Sequence, residues 1–257
     1  MKKGPTNGPF LLGPLWANLM ITTEVPLMSD QEEPIELDLA SLLGIGKEPK
    51  DFSDISLENY RTHMIVGEID EFTSQEACEF LLKSYFEDPK TPVTLIINSP
   101  GGSCDHGFAI IDLMYTLPFT VRTIAMGQIM SMGFLIFTSG TKGERYMAPN
   151  GSFMSHQFSN FLMGKDFEVE ATMKLQKMTR DAIVNHLIKC TGLTKKKVQD
   201  SLLPAHDVFL TAAECLELGV GDKFMDKAMF AQMAKEADMA DVKVKPEKKT
   251  ATKKAAK

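Results

Sequence analysis

Two apolar, β-branched runs, each ending in a glycine-containing turn and followed by a helical pattern, constrain this chain more than any other feature. The first, Val93-Thr94-Leu95-Ile96-Ile97, has the length and side-chain type of a buried strand. It runs into Asn98-Ser99-Pro100-Gly101-Gly102, a predicted turn whose glycines permit positive φ and a close approach of backbone to a ligand. Phe108, Ile111, Leu113, Met114 and Leu117 then recur near helical spacing until Pro118 stops the helix. The second unit repeats the plan, with a strand over Val121–Met126, a turn at Gly127-Gln128, and a helix that opens at Ser131 and continues through Phe134, Leu135 and Phe137 to Gly140. These units predict an α/β fold. A strand, a glycine turn and a helix in series also leave backbone N–H groups directed at an anion site.

Ser131 stands in Gly127-Gln128-Ile129-Met130-Ser131-Met132-Gly133, and His156 follows twenty-five residues later in Phe153-Met154-Ser155-His156-Gln157. A serine hydroxyl is a poor nucleophile at neutral pH. It needs an imidazole to take its proton and a carboxylate to hold that imidazole in the right tautomer. It also needs N–H donors aimed at the developing oxyanion, each worth about 2.7–4 kcal/mol of barrier. Taken singly, a serine at a helix start is an ordinary N-cap, and a lone histidine an ordinary structural or surface group. In this order and spacing, the pieces point to a serine hydrolase. The glycine before Ser131 is four positions away, so the Gly-x-Ser-x-Gly elbow of the α/β-hydrolases is not met. Cys104-Asp105-His106 is a rival cluster, but consecutive residues on a helix diverge by about 100°, and no second cluster completes a zinc set. These three are taken as polar residues at a helix start.

Asn98 to Ser103, Met126 to Gly133 and Met154 to Gln157 closely resemble the proteolytic subunit of the Clp protease, the ClpP family of serine peptidases. A fourth stretch adds to it: His206-Asp207-Val208-Phe209-Leu210-Thr211-Ala212-Ala213-Glu214, then Leu218-Gly219-Val220, is similar to the family segment that carries the third triad member. The resemblance covers about Tyr60 to Asp226. It implies Ser131 as nucleophile, His156 as general base and Asp207 as the residue that orients the histidine. Asp200, in a lysine-rich helix end, and Asp222, past the Gly219 turn, are the weaker alternatives. The resemblance further implies backbone N–H donors at Gly102 and Met132, a substrate groove including Gly101, Phe158 and Ser159, an acyl-enzyme route, and no metal or cofactor in the chemistry.

The implied fold is the ClpP/crotonase-type superhelix of β-β-α units with a protruding handle of helix plus strand, about 158–197. Val169, Met173, Leu175, Met178, Ile183, Val184, Leu187 and Ile188 fit a long amphipathic helix over Asp166–Cys190 within that handle. The implied partners are copies of the chain, as two stacked heptameric rings forming a tetradecamer, a hexameric AAA+ ATPase of the Clp type, and polypeptide substrates. Two departures are marked. Ile129 and Met130 replace the family's alanines before the nucleophile, and Phe158-Ser159-Asn160-Phe161 replaces Pro-x-Gly-Gly after Gln157. They leave open a latent or non-catalytic ring subunit and a diverged or viral copy that matures a capsid. An acyl-CoA hydratase or isomerase on the crotonase fold is a further alternative, disfavoured by the three triad matches.

The domain plan is an N-terminal extension over 1–57, a peptidase core over 58–228 and a C-terminal helix end with a basic tail over 229–257. The extension suggests a removable propeptide or axial segment. Formal charge is −6 at pH 7, which argues against a nucleic-acid enzyme. Cys78, Cys104, Cys190 and Cys215 have no paired spacing, so free thiols and a cytoplasmic location are expected. Phe10 to Ile21 is apolar but far short of the ~20 residues that span a bilayer, so no membrane partner is expected. The segment Lys243–Lys257 carries seven lysines against one glutamate, a net +6 in the pattern of a solvated tail.

Overall fold

The computed structural model describes residues 57–159 and 162–244, with side chains up to residue 237. The expected N-terminal extension up to residue 56, the basic tail from 245, and Asn160-Phe161 lie outside the described residues. A 3₁₀ turn, Leu57–Tyr60, leads into β1 (Thr62–Ile69), α1 (Glu71–Glu87), β2 (Val93–Gly102), α2 (Cys104–Thr116), β3 (Val121–Met130) and α3 (Met132–Thr138). Then come β4 (Arg145–Met147), β5 (Ser152–Ser155), α4 (Asp166–Thr191), α5 (Lys195–Ser201), β6 (Val208–Leu210), α6 (Ala212–Glu217), β7 (Lys223–Phe224) and α7 (Lys227–Val244). The strands form one mixed sheet in the order β1-β2-β3-β4-β7, and β5 joins β3 to β6. All pairings are parallel except β5 with β6. The α/β architecture expected from the sequence is present.

Period-two alternation sorts β2 and β3 onto two faces. Val93, Leu95, Ile97 and Ala125 join Ile65, Ile110, Phe134 and Phe137 in the main core, against α1 to α4. Ile96 and Ile124 face the other way, where they meet Tyr146, Met229 and Met233 under α7. Helix starts follow local capping chemistry. Asp70 accepts from the Thr73 N–H at 2.9 Å, and Thr211 with Glu214 forms a capping box on α6. Three buried arginines tie segments together. Arg61 donates to the carbonyls of Ser84, Asp88, Thr91 and Pro92, which satisfies chain ends at the close of α1. Arg122 pairs with Glu144 at 2.8 Å and with Glu236 of α7 at 2.9 Å. Arg145 pairs with Asp222 at 2.6 Å and donates to the Cys190 carbonyl at the end of α4.

Both predicted turns are strand instead. Asn98–Gly102 continues β2, because β1 runs alongside it to the end, with Glu68 opposite Gly101 and Ile69 opposite Gly102. Gly127-Gln128 lies within β3, where the β2 register shifts between Ile97 and Ser99. The Asn98 side-chain oxygen takes the Gln128 N–H at 3.1 Å, replacing the ladder bond lost at the shift. The long handle helix is present as α4, closed by Gly192 in the left-handed conformation (φ 77°). Among the described residues no strand lies between Ser155 and α4.

Candidate active site

Ser131 is the single residue between β3, which ends at Met130, and α3, which begins at Met132. Its φ of 52° and ψ of −120° are those of the first central residue of a type II′ turn, a position that glycine usually fills. Holding serine there costs about 1–3 kcal/mol. The hydroxyl makes no capping bond to α3, so the N-cap reading fails. Ser131 Oγ lies instead 2.8 Å from His156 Nε2.

The sheet register supplies this contact. β3 and β5 run parallel with Met130 opposite Met154, and the Ser131 N–H donates to the Met154 carbonyl at 2.9 Å. His156 is the first residue past β5. β5 and β6 are antiparallel with Ser155 opposite Val208, so His156 and Asp207 form the next pair outward. Asp207 Oδ1 stands 3.4 Å from His156 Nδ1, an ion-pair separation longer than a well-formed N–H···O bond. The His156 side chain is 22% exposed and that of Asp207 56%.

The alternative carboxylates are committed elsewhere. Asp200 pairs with Lys196 on the exposed face of α5. Asp222 accepts from the Gly143 N–H at 2.7 Å and from the Arg145 guanidinium. Burial works to raise the Asp222 pKa, but the Arg145 and backbone bonds prevail and hold it below the usual value.

The glycine pair brings β2 against the start of α3. A Cβ on Gly101 (φ 102°) would lie 2.6 Å from Ser131 Cβ and 2.9 Å from Met132 N. One on Gly102 (φ 151°) would lie 2.3 Å from the Ile69 carbonyl oxygen. Neither position has room for a side chain. The Met132 N–H is the first of α3, where no intrahelical acceptor exists, and Gly102 borders the cleft with Ser131 and His156.

That cleft has a volume of about 510 Å³. One wall holds Gly102, Ser131, His156, Phe158 and Ser159, and α4 supplies the other with Thr172, Leu175, Gln176 and Thr179. Phe158 and Ser159 thus border the cleft beside Ser131, while Gly101 backs Ser131 without lining the opening. Cys104 and Asp105, set aside in the sequence, also line the cleft. Their signal was adjacency to the glycine pair, since the first residues after a close approach must border it. Burial pushes the Cys104 thiol above its ordinary pKa and the Asp105 charge adds to this, so it is a neutral thiol at pH 7. The α4 wall was missed: Leu175 figured only in the amphipathic pattern of the helix, although positions 172, 175, 176 and 179 share one helical face. Among the described residues no cluster of three or more His, Cys, Asp or Glu side chains could hold a metal ion.

Fold and site define a class: an α/β protein that presents a hydroxyl, an imidazole and a carboxylate in series at the ends of strands of a mixed sheet. Comparison with known proteins narrows it. The family model for Clp protease matches residues 49–228. The chain is 34% identical over 169 residues to the ATP-dependent Clp protease proteolytic subunit 2 of Chlamydia abortus, covering 65% of this chain and 81% of that protein. It is 33% identical over 167 residues to the ATP-dependent Clp protease proteolytic subunit 3 of Streptomyces coelicolor, covering 65% and 76%. The chain belongs to the Clp protease family, and so to the peptidases among the hydrolases.

Proposed function

We propose that this chain is a serine endopeptidase that cleaves unfolded polypeptides through an acyl-enzyme, with Ser131, His156 and Asp207 as its triad. The observation that carries the reading is the 2.8 Å approach of Ser131 Oγ to His156 Nε2 from a strained backbone. His156 takes the hydroxyl proton as Oγ bonds to the scissile carbonyl carbon. The oxyanion that forms is held by the N–H groups of Gly102 and Met132. Collapse breaks the C–N bond, and His156 returns its proton to the leaving amine. Water, deprotonated by His156, then attacks the ester and releases the acid together with the restored hydroxyl. Asp207 holds the imidazole so that Nε2 faces Ser131.

We further assign the peptidase core to about 58–228 and infer that it works as a homo-oligomer, as stacked heptameric rings. In support, α4 leaves Phe167, Met173 and Met178 more than half exposed outside the cleft lining, apolar surface suited to a second copy. Among the described residues no helix is long and apolar enough to cross a membrane. Both relatives are named ATP-dependent, which supports a hexameric AAA+ unfoldase as the partner that feeds substrate.

Intact-mass analysis after treatment with a fluorophosphonate, with Ser131→Ala as control, tests the reading. A single adduct on the wild type and none on the variant is expected; an unlabelled, folded wild-type oligomer would refute it. A latent site that tightens on assembly is the second reading, favoured by the 3.4 Å gap and the exposure of Asp207. It requires labelling to be confined to the assembled fraction on size exclusion.

A further inference from the structure

Three cavities meet at one side chain, Phe158. The first is the open cleft described above. The second is a deep pocket of about 20 Å³ that opens at Ser131 and His156. Its inner surface is formed by Met132, Leu135, Phe158, Ile183 and Leu203. The third is a cavity of about 80 Å³ beyond the ring, which shares Phe158, Ile183 and Leu203 and adds Arg180 and Gln199. Phe158, Ile183 and Leu203 line both spaces and form the partition between them; of the three, only Phe158 also borders the open cleft and lies outside the buried core.

We infer that Phe158 closes the pocket for the residue on the acyl side of the scissile bond, so that the enzyme selects an alanine-sized side chain there. The inference rests on the peptidase reading above. Assigning the pocket to that residue follows by elimination. In the tetrahedral intermediate the carbon carries Ser131 Oγ, the oxyanion and the leaving amine. The oxyanion points to the Gly102 and Met132 N–H groups, and the amine points to His156, which protonates it. The remaining substituent, the α-carbon with its side chain, turns to the wall left over, and that wall is the deep pocket.

Size then sets the preference. A cavity needs roughly 10–15 Å³ of such volume to admit one water-sized group, so about 20 Å³ takes a methyl and little more. Leu135, Ile183 and Leu203 are all less than a tenth exposed and sit in the main core, so they give way poorly. Leucine or phenylalanine at the acyl side would have to displace the Phe158 ring. Removing that ring joins the pocket to the cavity of about 80 Å³ behind it, with room for a branched side chain.

The test uses the full-length protein and fluorogenic peptides that differ only in the acyl-side residue: Ala, Leu or Phe. Wild type is expected to show kcat/KM for the Ala peptide at least ~10-fold above the others, since one methylene in an apolar pocket already discriminates about 10–200-fold. Phe158→Ala is expected to erase or invert that ratio. Fluorophosphonate labelling of Ser131 is read on the same samples, and shows that each protein is folded and active. If wild type is labelled yet cleaves the Leu or Phe peptide as fast as the Ala peptide, the inference is overturned and the peptidase reading stands. A labelled Phe158→Ala with an unchanged profile removes Phe158 as the determinant. If the variant fails to label, Phe158→Leu, a smaller apolar wall, is expected to shift the ratio in the same direction. Wild type that neither labels nor cleaves overturns both readings together.

Discussion

Lowering the pH should loosen the α4 wall of the cleft through one buried histidine. His186 is 6% exposed and joins α4 to the back of α3. Its Nε2 lies 3.1 Å from the Leu135 carbonyl and 3.0 Å from Thr138 Oγ1, and its Nδ1 lies 3.3 Å from Tyr115 Oη. A carbonyl can only accept, so Nε2 carries the proton and Nδ1 accepts from the tyrosine. Burial is the largest influence on its pKa. The Leu135 bond opposes it and the nearby Lys189 charge assists it, with a resulting value of about 4. In the unfolded chain the group titrates near ~6.5. Between these values the unfolded state binds more protons, so stability is intact above about pH 7 and falls as the pH drops toward 4. At ~1.36 kcal/mol per unit, going from pH 7 to pH 4.5 removes about 2.5 kcal/mol. His186→Gln keeps an N–H for Leu135 but has no proton to gain. Urea unfolding of both proteins at the two pH values, at matched concentration, isolates the effect. Carboxylates held low in both, such as Asp222 and Glu236, cancel in the difference. The wild type should lose about 2.5 kcal/mol more than the variant; parallel losses, within about 0.5 kcal/mol, would refute the reasoning.

Asp207→Asn should leave the fold unchanged, because the side chain is more than half exposed, while slowing fluorophosphonate labelling of Ser131 by up to ~10⁴-fold. Near-normal labelling would remove Asp207 from the mechanism. Gly101→Ala puts a Cβ 2.6 Å from Ser131 Cβ at a φ of 102°, so it should abolish labelling and lower stability by about 1–3 kcal/mol. Labelling at the wild-type rate, with an unchanged urea midpoint, would show that the β2 backbone does not press on the nucleophile.

The repeating strands and helices were legible because their apolar runs are local. Val93–Ile97 and Val121–Met126 declare themselves without their neighbours. The two turns were misread because Asn-Ser-Pro-Gly-Gly has turn chemistry, whereas its conformation is decided by β1, a strand more than thirty residues earlier in the chain. Ser131 and His156 were legible from spacing, and Asp207 only through family likeness, since Asp200 and Asp222 competed and no local signal marks the aspartate that will reach a distant histidine. The α4 side of the cleft was not legible. Thr172, Gln176 and Thr179 become wall residues only once Ile183, Val184 and Leu187 have seated the helix on the core. Arg122 and Arg145, almost fully buried, gave no sign in strand-like sequence that each would find carboxylates from distant segments.

The site exists because β3 changes neighbours partway along. Thr123–Ala125 pairs with β4, and Gln128–Met130 pairs with β5 on the same edge. β3 therefore runs on past Ala125, its last partner on β4, through the stretch where β2 also loses register, to Met130. Those extra residues carry Ser131 past the sheet and open a place for β5, whose own end delivers His156. Because β5 takes β6 antiparallel, Asp207 arrives from the opposite chain direction and is tied to the histidine by one register. Side chains alternate along a strand, so slipping β5 by one residue against β3 would turn His156 away from Ser131. The Ser131 N–H bond to the Met154 carbonyl extends the β3–β5 ladder that opposes that slip. The strained serine and the histidine register thus share one ladder, that of β3 with β5.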